Sequence, residues 1–314
     1  MNRVREILGT EYPIIQGAMA RIANASLAAA VSAGGGLGII AAGGAPVEWV
    51  KQEIDAVRCV TDKPFGVNIM LLADNVEELV DLLCEEKVPV VTTGAGNPGK
   101  YIPRFKEVGS KVIPVVSNVT LAKRVERAGA DAVVAEGSEA GGHIGETTTM
   151  ALIPQMVDAL SIPVIGAGGV ADGRGLAAAF MLGAEGVQVG TRFLVANECT
   201  VAPAYKEMVL KAKDSSTVAT GQFTGHPVRV LKNKLSRAML ELEKTQDMEE
   251  FERLGTGALG RAVLEGDVER GSVMSGEIAG LVSKEQPAAE IIRELFAEAM
   301  RIYDLRQAIC NGAD

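Results

Sequence analysis

PVIGAGGVADGRGLAAAFMLGAEGVQVG, residues 163–190, holds one strand, one turn, one helix and the start of the next strand, and it decides how the rest of the chain is read. Pro163 opens a short apolar run at a place where a missing amide hydrogen is tolerated. Gly166, Ala167, Gly168 and Gly169 turn the chain, and Asp172 leads a helix. Leu182, Gly183 and Ala184 stop that helix, the glycine being suited to a left-handed cap, and a second apolar run begins at Val187. Two apolar strands joined by a helix pair in parallel, because an antiparallel pair needs only a tight turn.

The same unit recurs outward in both directions. Short apolar, β-branched runs begin near Pro13, Leu37, Phe65, Pro89, Val112, Ala132, Pro163 and Val187, with gaps of 24, 28, 24, 23, 20, 31 and 24 residues. Each gap has room for a strand, a loop and a helix of about three turns. Ala128, Gly129 and Ala130 repeat the helix stop before the sixth run, and Pro64 and Pro89 repeat the strand start. Eight such units within about 200 residues predict an α/β protein, a (β/α)8 TIM barrel, in preference to an open doubly wound sheet.

The rhythm stops after Gly190. Residues 197–254 are richer in Lys, Glu, Met and Arg, with helical spacing over Tyr205–Lys213 and Val228–Lys244. These residues predict an α-helical insert or lid in the C-terminal third. The expected division is a barrel of residues 1–197 plus 280–314 and a mainly α-helical lid over 198–279. The tail Ala288–Ile309 reads as one amphipathic helix returning to the outer ring.

Bulk properties remove several function classes. The chain has 314 residues, 47% of them hydrophobic, which supports a sizeable core. A net charge of -9 argues against broad binding to nucleic acid. Cys59, Cys84, Cys199 and Cys310 are scattered and only His143 and His226 could join them, so no disulfide framework or metal site is expected. Arg3, Arg5 and Glu6 leave no apolar signal core near the start. The uncharged stretch Ile22–Val47 is long, but Gly34, Gly35, Gly36, Gly43, Gly44 and Pro46 break it into a small-residue helix and a buried strand. A cytoplasmic protein without membrane association is the expectation.

A barrel places function on the loops after its strands. Four of these loops are unusual: Gln16, Gly17, Ala18 and Met19 after the first run, Asn68 after the third, Ala135–Met150 after the sixth, and Gly166–Gly169 after the seventh. The longest gap contains His143 among Gly137, Gly141, Gly142 and Gly145, a composition that lets backbone approach a ligand closely. Gly168 and Gly169 before an Asp172-led helix, with Gly190 and Thr191 after the eighth run, suit a phosphate cradle of glycine amides. Gly166, Gly168 and Ala171 with Glu185 also satisfy the dinucleotide fingerprint, but that motif belongs on a first strand, and this one follows six units. Ser138 does not occupy a nucleophile elbow, so serine hydrolysis is disfavoured. A phosphate site and one histidine, without nucleophile or metal, suit a phosphate-bearing cofactor that carries the hard chemistry.

Residues Gln16–Met19, the loop Glu136–His143, Ala167–Gly173, Val189–Arg192, Gly225–Pro227 and Ser272–Gly280 together resemble the flavin-dependent enoyl-acyl carrier protein reductase II family, close to the nitronate monooxygenases. The resemblance covers nearly the whole chain. It implies bound FMN, NADH or NADPH as co-substrate, and reduction of the 2,3 double bond of a trans-2-enoyl thioester carried by acyl carrier protein in fatty-acid elongation. A homodimer is the expected assembly. By motif, Gly17, Ala18, Met19 and Asn68 would contact the flavin ring, and Gly168, Gly169, Gly190 and Thr191 its phosphate. Met274, Ser275 and Gly276 would approach from the far side, with Glu136, Gly142 and Ala167 completing the cofactor contacts. His143 would face the substrate and stabilise or protonate the enolate that forms when hydride reaches the β-carbon.

The family often has a second glycine and an aromatic residue where this chain has Ala18 and Arg21, and a charge there bears on substrate fit. The rival activities are oxidation of alkyl nitronates with oxygen in the same flavin pocket, and a flavin-free barrel acting as lyase or isomerase on a phosphorylated metabolite. An acidic carrier needs a basic patch, for which Lys206, Lys211, Lys213, Arg229, Lys232, Lys234 and Arg237 are the candidates.

Overall fold

In the computed structural model, residues 2–311 are described, with side chains described through residue 304, so Cys310 lies outside the described side chains. The eight barrel strands are β1 Ile14–Gln16, β2 Gly38–Ala41, β3 Phe65–Met70, β4 Val90–Gly94, β5 Lys111–Val116, β6 Val133–Glu136, β8 Val164–Ala167 and β9 Gly186–Val189. Each begins within one residue of the position expected from the apolar runs. The remaining strands, β7 Gly142–His143, β10 Thr217–Thr220 and β11 Val228–Leu231, form a separate antiparallel sheet in the order β10-β11-β7.

The barrel sheet runs β1-β9-β8-β6-β5-β4-β3-β2, and every neighbouring pair in that order is parallel. Its seam closes where Ile15 pairs in parallel with Leu37, through Gln16 N donating to Leu37 O and Leu37 N donating to Ile14 O, both at 2.9 Å. Closure removes the sheet's free edges. Ile15, Leu37, Ile39, Val90, Ile113, Val134 and Ile165 fill the interior, and Val4 and Leu8 of the short helix Arg3–Leu8 join them. Two further apolar clusters lie between the strands and the outer helices.

The connecting helices start and stop as their termini dictate. Asp172 accepts from the amides of Arg174 and Gly175, capping the helix Gly173–Met181. Gly129 and Gly183 take φ values of 99° and 98° where helices end before β6 and β9. The C-terminal helix Ala288–Asn311 packs on Gly173–Met181 and Ala25–Ala33, burying Ala288, Ile291, Ile292 and Leu295, and so completes the outer ring.

The segment after β9 is mixed. Helices occupy Pro203–Leu210, Lys234–Thr245, Met248–Gly255 and Ala258–Val263, but the helical spacing over Val228–Lys244 is divided, its first part being β11. A four-residue apolar run satisfies both periods, and only the pairing of Val228–Leu231 with Thr217–Thr220 on one side and β7 on the other selects the strand. Among the described residues no helix is long and apolar enough to cross a membrane.

Candidate active site

A cavity of about 1020 Å³ opens at the C-terminal ends of the barrel strands. Gly17, Ala18, Met19, Asn68, Glu136, Gly142, His143, Ala167, Gly168, Gly169, Gly190, Thr191, Met274 and Gly276 all line it. Ser275 does not: it is 1% exposed, and its hydroxyl lies buried without a partner. Gln16 is also behind the wall, where its side chain bonds Gly17 O and the amide of Ile39, holding β1 to β2.

The cradle is made by backbone. Gly168 and Gly169 take φ values of 85° and 76°, which turn the chain sharply after β8. Gly17 N donates to Val189 O at 2.9 Å, bringing the post-β1 loop beside Gly190. Among the described residues the amides of Gly168, Gly169 and Gly190 have no acceptor within the protein. Unsatisfied amides beside the start of the short 3-10 helix Thr191–Val195 suit an anionic group. Among the described residues no Lys or Arg lines the cavity, so these neutral donors are what the site offers to a phosphate.

The histidine loop is built around two acidic residues with different tasks. Glu139 accepts from Thr149 N at 2.7 Å and Thr149 Oγ1 at 2.8 Å, which ties the loop to the helix Thr149–Ala159. Glu136, at the end of β6, has no hydrogen-bond or ion-pair partner among the described residues, and burial pushes its carboxyl up to about 7. Gly137 and Gly141 are required by close approach: a Cβ would stand 2.1 Å from Thr149 Oγ1 at the first and 2.6 Å from Ser275 C at the second. Gly276 N donates to Thr191 Oγ1 at 2.9 Å, and Tyr205 Oη to Met274 O at 2.7 Å, so Met274–Gly276 is held against the loop from the far side.

His143 is exposed in the cavity, on β7. That strand pairs with β11, where His143 stands opposite Val228 and Ile144 N donates to Pro227 O at 3.1 Å. The two histidines of the sequence therefore both line one cavity. Desolvation, and then the charge of His226, lower the pKa of His143. Arg229 secures the same junction by donating to Ser138 O at 3.1 Å and pairing with Glu277 at 3.0 Å. Sequence reasoning placed His226 in the lid without a task, since nothing in the residue pattern shows that a two-residue strand at 142–143 pairs with residues 228–229.

The basic residues considered for docking are mostly engaged. Lys206 is buried, donating to Ala196 O at 2.7 Å and pairing with Glu285 at 3.2 Å. Lys211 pairs with Glu207, Lys234 with Glu269, and Arg229 as above. No group of His, Cys, Asp and Glu that could hold a metal ion occurs among the described residues.

The Nitronate monooxygenase family description matches residues 1–81 and 72–298. The solved structure of FabK from Thermotoga maritima is 50% identical, with a TM-score of 0.96 over 98% of this chain and 99% of that one. A (3aS,4S,5R,7aS)-5-hydroxy-7a-methyl-1-oxo-octahydro-1H-indene-4-carboxyl-CoA dehydrogenase of Mycobacterium tuberculosis is 34% identical over 94% of this chain and 95% of its own length. A probable nitronate monooxygenase of Staphylococcus saprophyticus is 38% identical over 77% of this chain and 81% of its own. With a closed (β/α)8 barrel, a glycine cradle after β8 and β9 and a family match across almost its full length, the chain belongs to the nitronate monooxygenase family.

Proposed function

We propose that the protein is an FMN-dependent oxidoreductase that uses NADH or NADPH to reduce the 2,3 double bond of trans-2-enoyl thioesters, as an enoyl-acyl carrier protein reductase. The observation that carries this reading is a single cavity joining a phosphate cradle to the histidine loop. At about 1020 Å³ it lies just above the range of about 300–1000 Å³ usual for ligand sites, which suits a cofactor with a second molecule against it. The likeness to FabK, an enoyl-acyl carrier protein reductase, favours the reductase within the family.

FMN fits the donors present. Its phosphate would lie on the acceptor-free amides of Gly168, Gly169 and Gly190, with Thr191 beside them, and its ring would lie against Gly17, Ala18, Met19 and Asn68. When bound, FMN supplies hydride transfer, accepting from the nicotinamide and donating to the enoyl β-carbon. The protein's own part is position and charge. Asn68 Nδ2 donates to Thr92 Oγ1 at 2.9 Å, which fixes the amide where it meets the cavity. Glu136, Gly142, Ala167, Met274 and Gly276 shape the walls of the cofactor site, with Ser275 buried behind them. His143 donates a hydrogen bond to the thioester oxygen as enolate charge develops, and its lowered pKa makes the neutral imidazole the main form at pH 7.

Residues 198–279 act as a lid over the barrel, tied to the histidine loop through β7 and β11. Assembly as a homodimer belongs to the same proposal. Mass spectrometry tests the reaction: incubation with NAD(P)H and a crotonyl thioester yields the butyryl thioester, two mass units heavier. Persistence of the crotonyl thioester beside a fully FMN-loaded protein contradicts it.

A further inference from the structure

Met19, Ala20, Arg21 and Ile22 form a tight turn after β1, closed by Ile22 N donating to Met19 O at 2.9 Å and Ala23 N to the same oxygen at 2.8 Å. Arg21 holds the third place with φ 61°, a conformation that favours glycine or asparagine and strains an arginine. Its side chain is exposed and has no ion pair or hydrogen bond among the described residues. Ala20 and Ile22, on either side, both line the cavity. The titratable side chains in the lining itself are Glu136, Glu139, Glu146 and the two histidines, and among the described residues none is Lys or Arg.

The proposed reaction, on which this inference rests, brings co-substrates whose handles carry phosphate into a cavity lined by those carboxyl groups. We propose that Arg21 is a binding residue at the cavity mouth, held in a strained turn so that its guanidinium meets a phosphate of the incoming thioester carrier arm or of the nicotinamide dinucleotide. A guanidinium suits this task because it forms paired hydrogen bonds to phosphate and stays charged. The cradle at Gly168, Gly169 and Gly190 lies on the loops after β8 and β9, so the two phosphate contacts use different loops.

Calorimetric titration of the FMN-loaded protein with coenzyme A, and separately with NADP⁺, tests the assignment without requiring turnover. Arg21→Gly relaxes the turn while removing the charge, and Arg21→Lys keeps a charge without the fork. The expected result is a loss of affinity of about tenfold for one of the two ligands in Arg21→Gly, with partial recovery in Arg21→Lys. The ligand that weakens names the source of the phosphate. A raised melting temperature in Arg21→Gly with both affinities unchanged overturns the proposal, since strain would then be all that Arg21 contributes. Reduction of a crotonyl thioester of N-acetylcysteamine, which has no phosphate, reports on the enzymatic reading separately. Failure there with weakened titrations rejects the reaction and keeps Arg21, and success there with unchanged titrations does the reverse.

Discussion

His143 is placed by a strand of only two residues, and its chemistry follows from what surrounds the ring. Replacement by Ala is expected to leave FMN bound, because the cradle is made of backbone elsewhere, and to remove most enoyl-thioester reduction, by about 10²- to 10³-fold. Flavin absorbance measured beside turnover checks both halves, and unchanged turnover removes His143 from the mechanism. The lowered pKa adds a sign: activity that depends on the neutral ring stays level through the ordinary histidine range and falls only at more acid pH. Glu136 gives an opposite dependence in stability. Its carboxyl is raised from 4.5 to about 7, so between those values the folded cofactor-free chain holds a proton that the unfolded chain has lost. Stability is therefore full below the lower value and falls as pH rises through the upper one, by about 3 kcal/mol across the window. Glu136→Gln should flatten the melting temperature between pH 5 and 8; an unaltered slope means that the carboxyl is not buried as described.

The loop from β6 to the helix Thr149–Ala159 is where the site depends most on close packing. Gly141→Ala would drive a Cβ to 2.6 Å from Ser275 C and 2.7 Å from Gly276 N, both backbone atoms that cannot swing away. A destabilisation of about 1–3 kcal/mol is expected, with weaker FMN retention on gel filtration, because Met274–Gly276 must shift. The barrel strands were legible in the sequence for a simple reason: each contains a short apolar, β-branched run, most of them beside proline or glycine, as Pro163–Ala167 shows, and burial on both faces favours that pattern. The glycine turns proposed as a phosphate cradle were legible for a related reason, since Gly168, Gly169 and Gly190 follow such runs directly. The antiparallel sheet was not. His143 and Val228 lie 85 positions apart, and no local period shows that Gly142–His143 is a strand. The engagement of Lys206 was equally hidden, because its partners Ala196 O and Glu285 are brought to it by the fold.

At the scale of the molecule, the proposed reaction would bring an acidic carrier to an acidic chain with net charge -9. With Lys206, Lys211, Arg229 and Lys234 paired, Lys213, Lys232 and Arg237 are the members of the proposed basic patch left without an acidic partner among the described residues. Reversing charge at Lys232 and Arg237 should therefore raise KM for a carrier-bound enoyl substrate several-fold more than for the coenzyme A thioester; equal effects reject this face as the docking surface. The closed barrel, the cradle and the lid sheet are compatible with more than one flavin chemistry, and the choice between electron acceptors separates the reductase from a nitronate oxidase. The most direct measurement is anaerobic: the FMN-loaded protein is mixed with NAD(P)H, and absorbance at 340 nm is followed before and after addition of crotonyl thioester. Bleaching beyond the one equivalent that reduces the flavin is expected to require the thioester and to proceed without oxygen. Absence of that bleaching, together with oxygen uptake on a nitronate that needs no NAD(P)H, would contradict it.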